Sequence, residues 1–452
     1  MARSFKTVDY EKSGQQTVTI AECLPQDHLA RFIVAIIALL DLRALYARYA
    51  PVGGEPIDPK VLLGVLLYGY ATGVFSSRKL EKGTYETIPM RFIGGGLHPD
   101  HSTIAQFRKD FLDEIKELFV QVLVVAHELG YLKVGNISLD GSKIHADASK
   151  SQAVSYGYLP KLEQRLRTEV EELLALGEQV DQTELPEGLN LEAELAWRQE
   201  RLLNLAKARA VLEARAQQRY EAEQAEYELK QRQREQKAQQ TGGKPRGRAP
   251  QPPIPGPRAK DQYNFTDPAS RIMKNSTNDG FDQHYNVQAA VDQASLLIVA
   301  NSLSNHPVDT AEALPTLKAM PAELGKPKAA AMDRNYFSPA NIREFETLGV
   351  EPYIATGREP HHKSWRQFFA QTPEPPAEEA SPIVKMAYKL QTEIGQAIYR
   401  LRKSTVEPVL GIIKEVLGFR QFSLRGLVAA AGEWSLVCLA WNLKRLHVLI
   451  HN

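Results

Sequence analysis

Asp140, Asp333 and Glu407 are the acids whose placement suggests chemistry. Asp140 lies in an alternating run, 136–144, and is followed by Gly141. Asp333 directly follows the apolar run 328–332, where an open α/β sheet presents functional groups beyond the carboxyl ends of its strands. Glu407 lies in a late helical run, 399–414. Two Asp on neighbouring strands and one Glu on a covering helix make an all-oxygen donor set. Such a set suits Mg²⁺, which prefers carboxylate oxygen and keeps water positions open for phosphate. Two such ions ~4 Å apart can activate an attacking oxygen and stabilise a leaving one in phosphoryl transfer. Taken singly, each acid reads as a solvated surface group, so the reading rests on all three together.

Lys414 is placed two turns beyond Glu407 on the same helix face, where a cation can reach a phosphate near the metals. Pro408 removes one helix hydrogen bond, so the helix is expected to kink or restart near Glu407. Asp147 reads as a surface acid, Asn442 as a satisfied buried amide, and His361-His362 as a loop without partners at zinc spacing.

Around these residues the elements follow from pattern. The N-terminal part reads as helices, one over 32–49 ended by Ala50-Pro51 and Gly53-Gly54. Asp58 caps the next, with Pro59 at its first position, and Gly73 ends it. Ser76 or Ser77 caps a short basic helix carrying Arg78, Lys79 and Lys82, which could be the second helix of a helix-turn-helix or a plain solvated face. Ser102 is expected to cap one long amphipathic helix, with Ile104, Phe107, Phe111, Ile115, Leu118, Val122, Val125 and Leu129 on its apolar face. Then the period changes to two. The run 285–292 reads as a half-buried strand with its polar side outward, joined as a hairpin to the apolar run 296–300. The run 328–332, a helix capped by Ser338 and ended by Gly349, and the run 350–355 form a parallel strand–helix–strand unit. Helices over 394–417 and 432–450 close the chain.

Residues 157–260 interrupt this scheme. Residues 157–229 carry 9 Lys/Arg against 16 Asp/Glu, with Leu195, Leu202, Leu205 and Leu212 near heptad spacing, which suits a helical hairpin or a partner subunit. Residues 230–260 carry 9 Lys/Arg and one acid and are broken by Gly and Pro, so they read as a disordered or polyproline basic linker and the better DNA contact.

Composition bounds the rest. At 452 residues two or three domains are expected. A net charge of +1 excludes a uniformly basic nucleic-acid coat protein but not local basic surfaces. Two distant cysteines, Cys23 and Cys438, form neither a zinc spacing nor a disulfide framework. No membrane span and no signal peptide are read, so a cytoplasmic setting is expected.

Several ordered motifs resemble the DDE transposases of bacterial insertion sequences. They are residues 140–150 (Asp-Gly-Ser-Lys-Ile-His-Ala-Asp-Ala-Ser-Lys), 285–292 (Tyr-Asn-Val-Gln-Ala-Ala-Val-Asp), 332–338 (Met-Asp-Arg-Asn-Tyr-Phe-Ser) and the 399–414 run. Upstream, residues 25–32, 66–81 and 99–108 resemble the InsH-type helical N-terminal domain of the same proteins. The resemblance covers nearly the whole chain except 157–260. It implies an RNase H-like mixed α/β sheet with flanking helices (131–156 and 261–452), an all-α N-terminal domain (1–130) for DNA binding or dimerisation, and a helical insertion. It implies that Asp140, Asp333 and Glu407 are the catalytic, metal-holding triad. Tyr399, Arg402 and Lys414 match the Tyr/Arg/Lys that accompany the Glu. Four residues separate Arg402 from Glu407 where some relatives have three, and Arg334-Asn335 stands where relatives often carry a small residue and Gly.

The activity implied is Mg²⁺-dependent strand cleavage at element ends and strand transfer into target DNA, with Mn²⁺ as a substitute ion. Partners would be double-stranded DNA (terminal inverted repeats and target) and a second copy in a homodimer, at the bacterial nucleoid. Two alternatives stay open: an RNase H-like nuclease without strand transfer, and a non-catalytic DNA-binding relic.

Overall fold

The computed structural model describes residues 19–49, 55–179, 188–241, 247–275, 280–357 and 374–451. Seven helices open the chain: α1 (Leu29–Leu39), α2 (Arg43–Ala47), α3 (Pro59–Thr72), α4 (Ser77–Glu86), α5 (Ile88–Gly94), α6 (His101–Asp110) and α7 (Leu112–Glu128). Asp58 caps α3 as expected, accepting from the Lys60 amide at 3.0 Å, and Gly73 ends it in the left-handed region at φ 82°. The helix expected over 32–49 is instead two. His28 starts α1 early, its Nδ1 accepting from the Ala30 amide at 3.0 Å. Leu40 then turns extended, and Asp41 accepts the Arg43 amide to open α2. The turn expected at 50–54 lies outside the described residues. The long helix expected from Ser102 is also two. Asp100, not Ser102, is the cap, because its carboxylate reaches both the Ser102 and Thr103 amides at 2.9 Å. Phe111 breaks the run before α7.

The sheet runs β4 (Arg271–Lys274), β5 (Phe281–Asp292), β1 (Asn136–His145), β7 (Ala329–Met332), β8 (Glu351–Ile354), with β6 (Ile298–Ser304) also on β5. The pairs β6–β5 and β5–β1 are antiparallel; β1–β7 and β7–β8 are parallel. The last pairing confirms the strand–helix–strand unit, with α10 (Ala313–Lys318) before it and α11 (Pro339–Thr347) inside it. Ser338 caps α11 by accepting from the Asn341 amide at 2.9 Å.

The reading of β5 as a strand with an outward polar side does not hold. Asn286 and Gln288 are fully buried, because a polar network on that face takes up their amides.

Helices α12 (Pro382–Gln391), α13 (Glu393–Arg400) and α14 (Arg402–Gly411) cover one face, followed by a π-turn at Ile412–Val416. The interruption falls at Leu401, not at Pro408. Pro408 deprives the Ser404 carbonyl of its helical partner. Both residues are exposed, so water can take that carbonyl and the helix continues.

The final helix, α15 (Leu427–His451), starts earlier than the pattern suggested and is buried along most of its length. Its Trp434 is fully buried and donates to the Gln288 carbonyl at 3.0 Å. α15 packs on β6, α3 and α7, so the N-terminal helices and the sheet share one continuous apolar core. A buried polar contact crosses it: Tyr70 donates to Glu433 at 3.0 Å, and Glu433 also accepts the Ser423 and Leu424 amides.

The insertion leaves after β1 through β2 (Ala153–Ser155), forms α8 (Leu159–Gln179) and the 51-residue α9 (Leu191–Thr241), and returns through β3 (Gln262–Asn264), which pairs with β2. Leu205 and Leu212 of α9 pack on Leu159, Leu162 and Leu166, a helical hairpin in one chain. The basic stretch is not a free linker where it is described. Residues 230–241 continue α9, and residues 247–260 run back along it. Arg234 donates to the carbonyls of Gly247 and Arg248, and Arg258 pairs with Glu223 at 2.9 Å. Residues 242–246 lie outside the described residues.

Candidate functional site

β1 is the central strand, and its period of two divides its residues between two polar clusters. Ser138, Asp140 and Ser142 face α14 and the π-turn. Ser138 meets Thr405 at 2.8 Å, Asp140 meets Arg402 at 3.0 Å, and Ser142 accepts from Lys414 at 3.1 Å. Three successive same-face residues thus anchor the helix that carries Glu407.

Asp333 arrives from the neighbouring strand. Leu139 pairs with Met332 in the parallel β1–β7 ladder, so Asp140 and Asp333 are the next residues along both strands. The backbone past Asp333 is held by its own carboxylate, which accepts the Asn335 amide at 2.8 Å and caps a short turn, Arg334–Tyr336. The third acid is joined through Arg402, whose guanidinium also bonds Glu407 at 2.8 Å. The structure therefore brings Asp140, Asp333 and Glu407 to one place, with Arg402 between two of them.

Electrostatics agree with this crowding. Burial pushes the Asp140 carboxyl up to about 7, with Arg402 opposing and Asp333 and Glu407 adding to the rise. Burial also raises Asp333, partly offset by the Asn335 amide and Arg402. The Lys414 ammonium, half-buried in the π-turn, is pushed down by burial. Beside the acids lies a cleft of about 340 Å³ whose lining includes Asp333, Tyr399 and three cations, Arg334, Arg402 and Lys403.

The opposite face of β1 holds a cluster that the sequence pattern did not reveal. Asp309, in the loop after β6, accepts from Lys143 at 2.9 Å, Asn286 at 2.7 Å and Gln288 at 3.2 Å. Tyr336, fully buried, donates to Gln288. Asp309 contributes to the raised pKa of Asp333, so this cluster adjoins the first. Gly141 makes room for it, since a Cβ there would lie 2.4 Å from Gln288 Nε2. Only the Asp-Gly step at 140–141 hinted at such a close approach. A lone loop acid carries no periodic signal.

The other expected residues fall as follows. Tyr399 lies on α13 with its ring 5.8 Å from the Arg402 guanidinium carbon. Arg78, Lys79 and Lys82 are exposed on α4 and take no part in the acid cluster, and Lys82 pairs with Glu86 at 3.5 Å. Asp147 is a surface acid paired with Arg425 at 2.8 Å. Asn442 is buried, with its amide satisfied on both sides by the Ile298 backbone at 2.8 Å. His361-His362 lie outside the described residues. No single helix among the described residues is long and apolar enough to cross a membrane.

Two stretches of the chain match known domain families. Residues 18–110 match a transposase domain family (DUF772), and residues 377–447, which include Glu407 and Arg402, match the transposase DDE domain. A transposase domain model thus matches towards each end of the chain, and together they support a DDE transposase of an insertion sequence. No curated protein and no solved structure matches it significantly.

Proposed function

We propose that this transposase cuts DNA at the ends of its element and joins the freed 3′-hydroxyl to target DNA, with Asp140, Asp333 and Glu407 as its catalytic, metal-holding acids. One observation carries the reading: two acids stand side by side on adjacent parallel strands, and the third is tied to the first through a single guanidinium. The strand order, antiparallel on one side of β1 and parallel on the other, supports an RNase H-like sheet.

The donor set fits Mg²⁺, or Mn²⁺ in its place, because all three groups are carboxylates on one site. As the side chains stand, however, no three acid, His or Cys groups among the described residues are grouped to hold an ion. When bound, the metal supplies Lewis-acid stabilisation of the attacking and leaving oxygens.

The chain's own residues supply the rest. Arg402, Tyr399 and Lys414 face the cleft or the strand bearing Asp140 and are placed to hold a DNA phosphate there. Gly141 lets the strand pack tightly behind Asp140. α3 and α4 are bent by 100° across a four-residue turn containing Gly73, the shape of a helix-turn-helix. That shape favours Arg78, Lys79 and Lys82 as contacts to the terminal inverted repeats, with a homodimer pairing the two ends.

The test is cleavage and joining of duplexes that carry the element's ends. Asp140→Asn and Asp333→Asn keep the side-chain shape but remove the metal-holding charge. Both should lose cleavage and retain DNA binding, because phosphate contacts supply most of the affinity. Wild-type cleavage by Asp140→Asn in Mg²⁺ sinks the assignment. Cleavage without joining to a second duplex favours a nuclease, and no metal-dependent cleavage at all favours a non-catalytic relic.

A further inference from the structure

The position of Arg402 sets a condition on how the site can be loaded. Its guanidinium donates to Asp140 Oδ2 at 3.0 Å and to Glu407 Oε1 at 2.8 Å. The side chain is only 9% exposed. It therefore fills the space between two acids that a shared cation would need. Its Nε is buried and has no hydrogen-bond acceptor among the described residues. The guanidinium also bonds Tyr399, but with Nε unpaired the planar fork is only partly satisfied by the protein, and a phosphate is the group that engages such a fork through two parallel N–H bonds. The adjoining cleft, walled by Arg334, Lys403 and Tyr399, is where such a phosphate would lie.

Resting on the reading of the acids given above, we propose that Arg402 is a built-in counter-ion that keeps Asp140 and Glu407 occupied until a DNA phosphate draws its guanidinium away. A divalent ion and the guanidinium compete for the same two carboxylates. A phosphate and the carboxylates compete for the same guanidinium. DNA binding therefore raises metal affinity, and metal binding raises DNA affinity by the same factor. The consequence is economy of damage: the enzyme without its substrate holds little metal and has no assembled centre with which to cut other DNA.

The experiment is Mn²⁺ binding by the full-length protein, followed through the electron paramagnetic resonance signal of free Mn²⁺, with and without a short blunt duplex. Wild type alone should bind weakly, and the duplex should tighten binding by about tenfold or more. Arg402→Gln keeps a planar polar group but not the charge. It should bind Mn²⁺ without DNA at least about tenfold more tightly than wild type, and the duplex should add little. Arg402→Lys keeps a point charge that cannot bridge both acids, so it should fall between them, and it serves as the second variant should Arg402→Gln fail to fold. Equal Mn²⁺ affinity in wild type and Arg402→Gln, or equal tightening by duplex in both, overturns the proposal. Adding Asp140→Asn to Arg402→Gln should abolish the binding. If Mn²⁺ binding persists there, the metal sits elsewhere and the assignment of the acids fails instead. If no form binds Mn²⁺ even with duplex, both fail.

Discussion

Gly73 and Leu417 meet backbone to backbone: a Cβ on Gly73 would lie 2.7 Å from the Leu417 carbonyl oxygen. The turn between α3 and α4 is therefore seated on the end of the segment that carries Glu407 and Lys414. Phe75, in the same turn, stacks edge-on with Phe419 at 5.2 Å. The basic helix and the acid cluster are thus joined through one rigid contact.

Replacing Gly73 with Ala should cost roughly 2 kcal/mol or more, combining left-handed backbone strain with the clash. Gly130 is the control. Its φ of 79° is nearly that of Gly73 at 82°, but open space surrounds it. Gly130→Ala should cost only the backbone part, about 1 kcal/mol. Equal losses in chemical denaturation would show that the contact with Leu417 is unimportant.

Asp309 offers a second test. Its ion pair with Lys143 is well covered, at 17% and 18% side-chain exposure, so removing the acid strands a cation. Asp309→Ala should lower stability by roughly 2–3 kcal/mol. Glu86→Ala, which breaks the exposed pair with Lys82, should change it by no more than about 0.5 kcal/mol. A loss for Asp309→Ala as small as that for Glu86→Ala would mean Lys143 finds water easily.

Stability should also fall in acid through His284. Burial lowers this histidine from its ordinary 6.5 to about 4, with the charges of His145 and Lys414 nearby acting the same way. A depressed pKa means the folded state resists the proton that the unfolded state accepts. The stabilisation is complete above pH 6.5 and is lost as pH falls towards 4, about 3 kcal/mol in all. His284→Gln should therefore show a flatter stability profile than wild type between those values. Parallel profiles for the two proteins would place the acid sensitivity elsewhere.

The net positive end of the insertion should contribute to DNA affinity. Lys230, Arg232 and Lys260 are exposed along α9 and the stretch that runs back along it. Changing all three to Gln should leave the fold intact and reduce the slope of log affinity against log salt by about two to three. An unchanged slope would leave this stretch as a spacer.

Much of the fold that positions the candidate site was legible because it follows from strand and cap chemistry. Asp140 and Asp333 were found from a period of two and from the end of an apolar run, and Asp58 and Ser338 from cap preferences. What failed has a common physical origin in tertiary partners that sequence does not display. Asn286 and Gln288 look like a solvent-facing stripe, yet Asp309 pays for their burial. Pro408 looks like a break, yet the Ser404 carbonyl it leaves unpaired can face water. Asp100 outcompeted Ser102 because a carboxylate two residues earlier reaches two amides.

The hairpin of the insertion also bears on how the chain comes to fold. His145 of β1 pairs with His284 of β5, two strands separated by the entire insertion. Closing so long a loop by chance is slow, because chain entropy must be lost before any contact repays it. α8 and α9 can form by local contacts, and β2 and β3 pair at their base, Ser155 with Gln262. Once that clasp shuts, the ends of β1 and β5 are neighbours through a short effective loop. The insertion then sets a folding order: helical hairpin first, central ladder second, and the acid cluster only after β7 and α14 dock on that ladder.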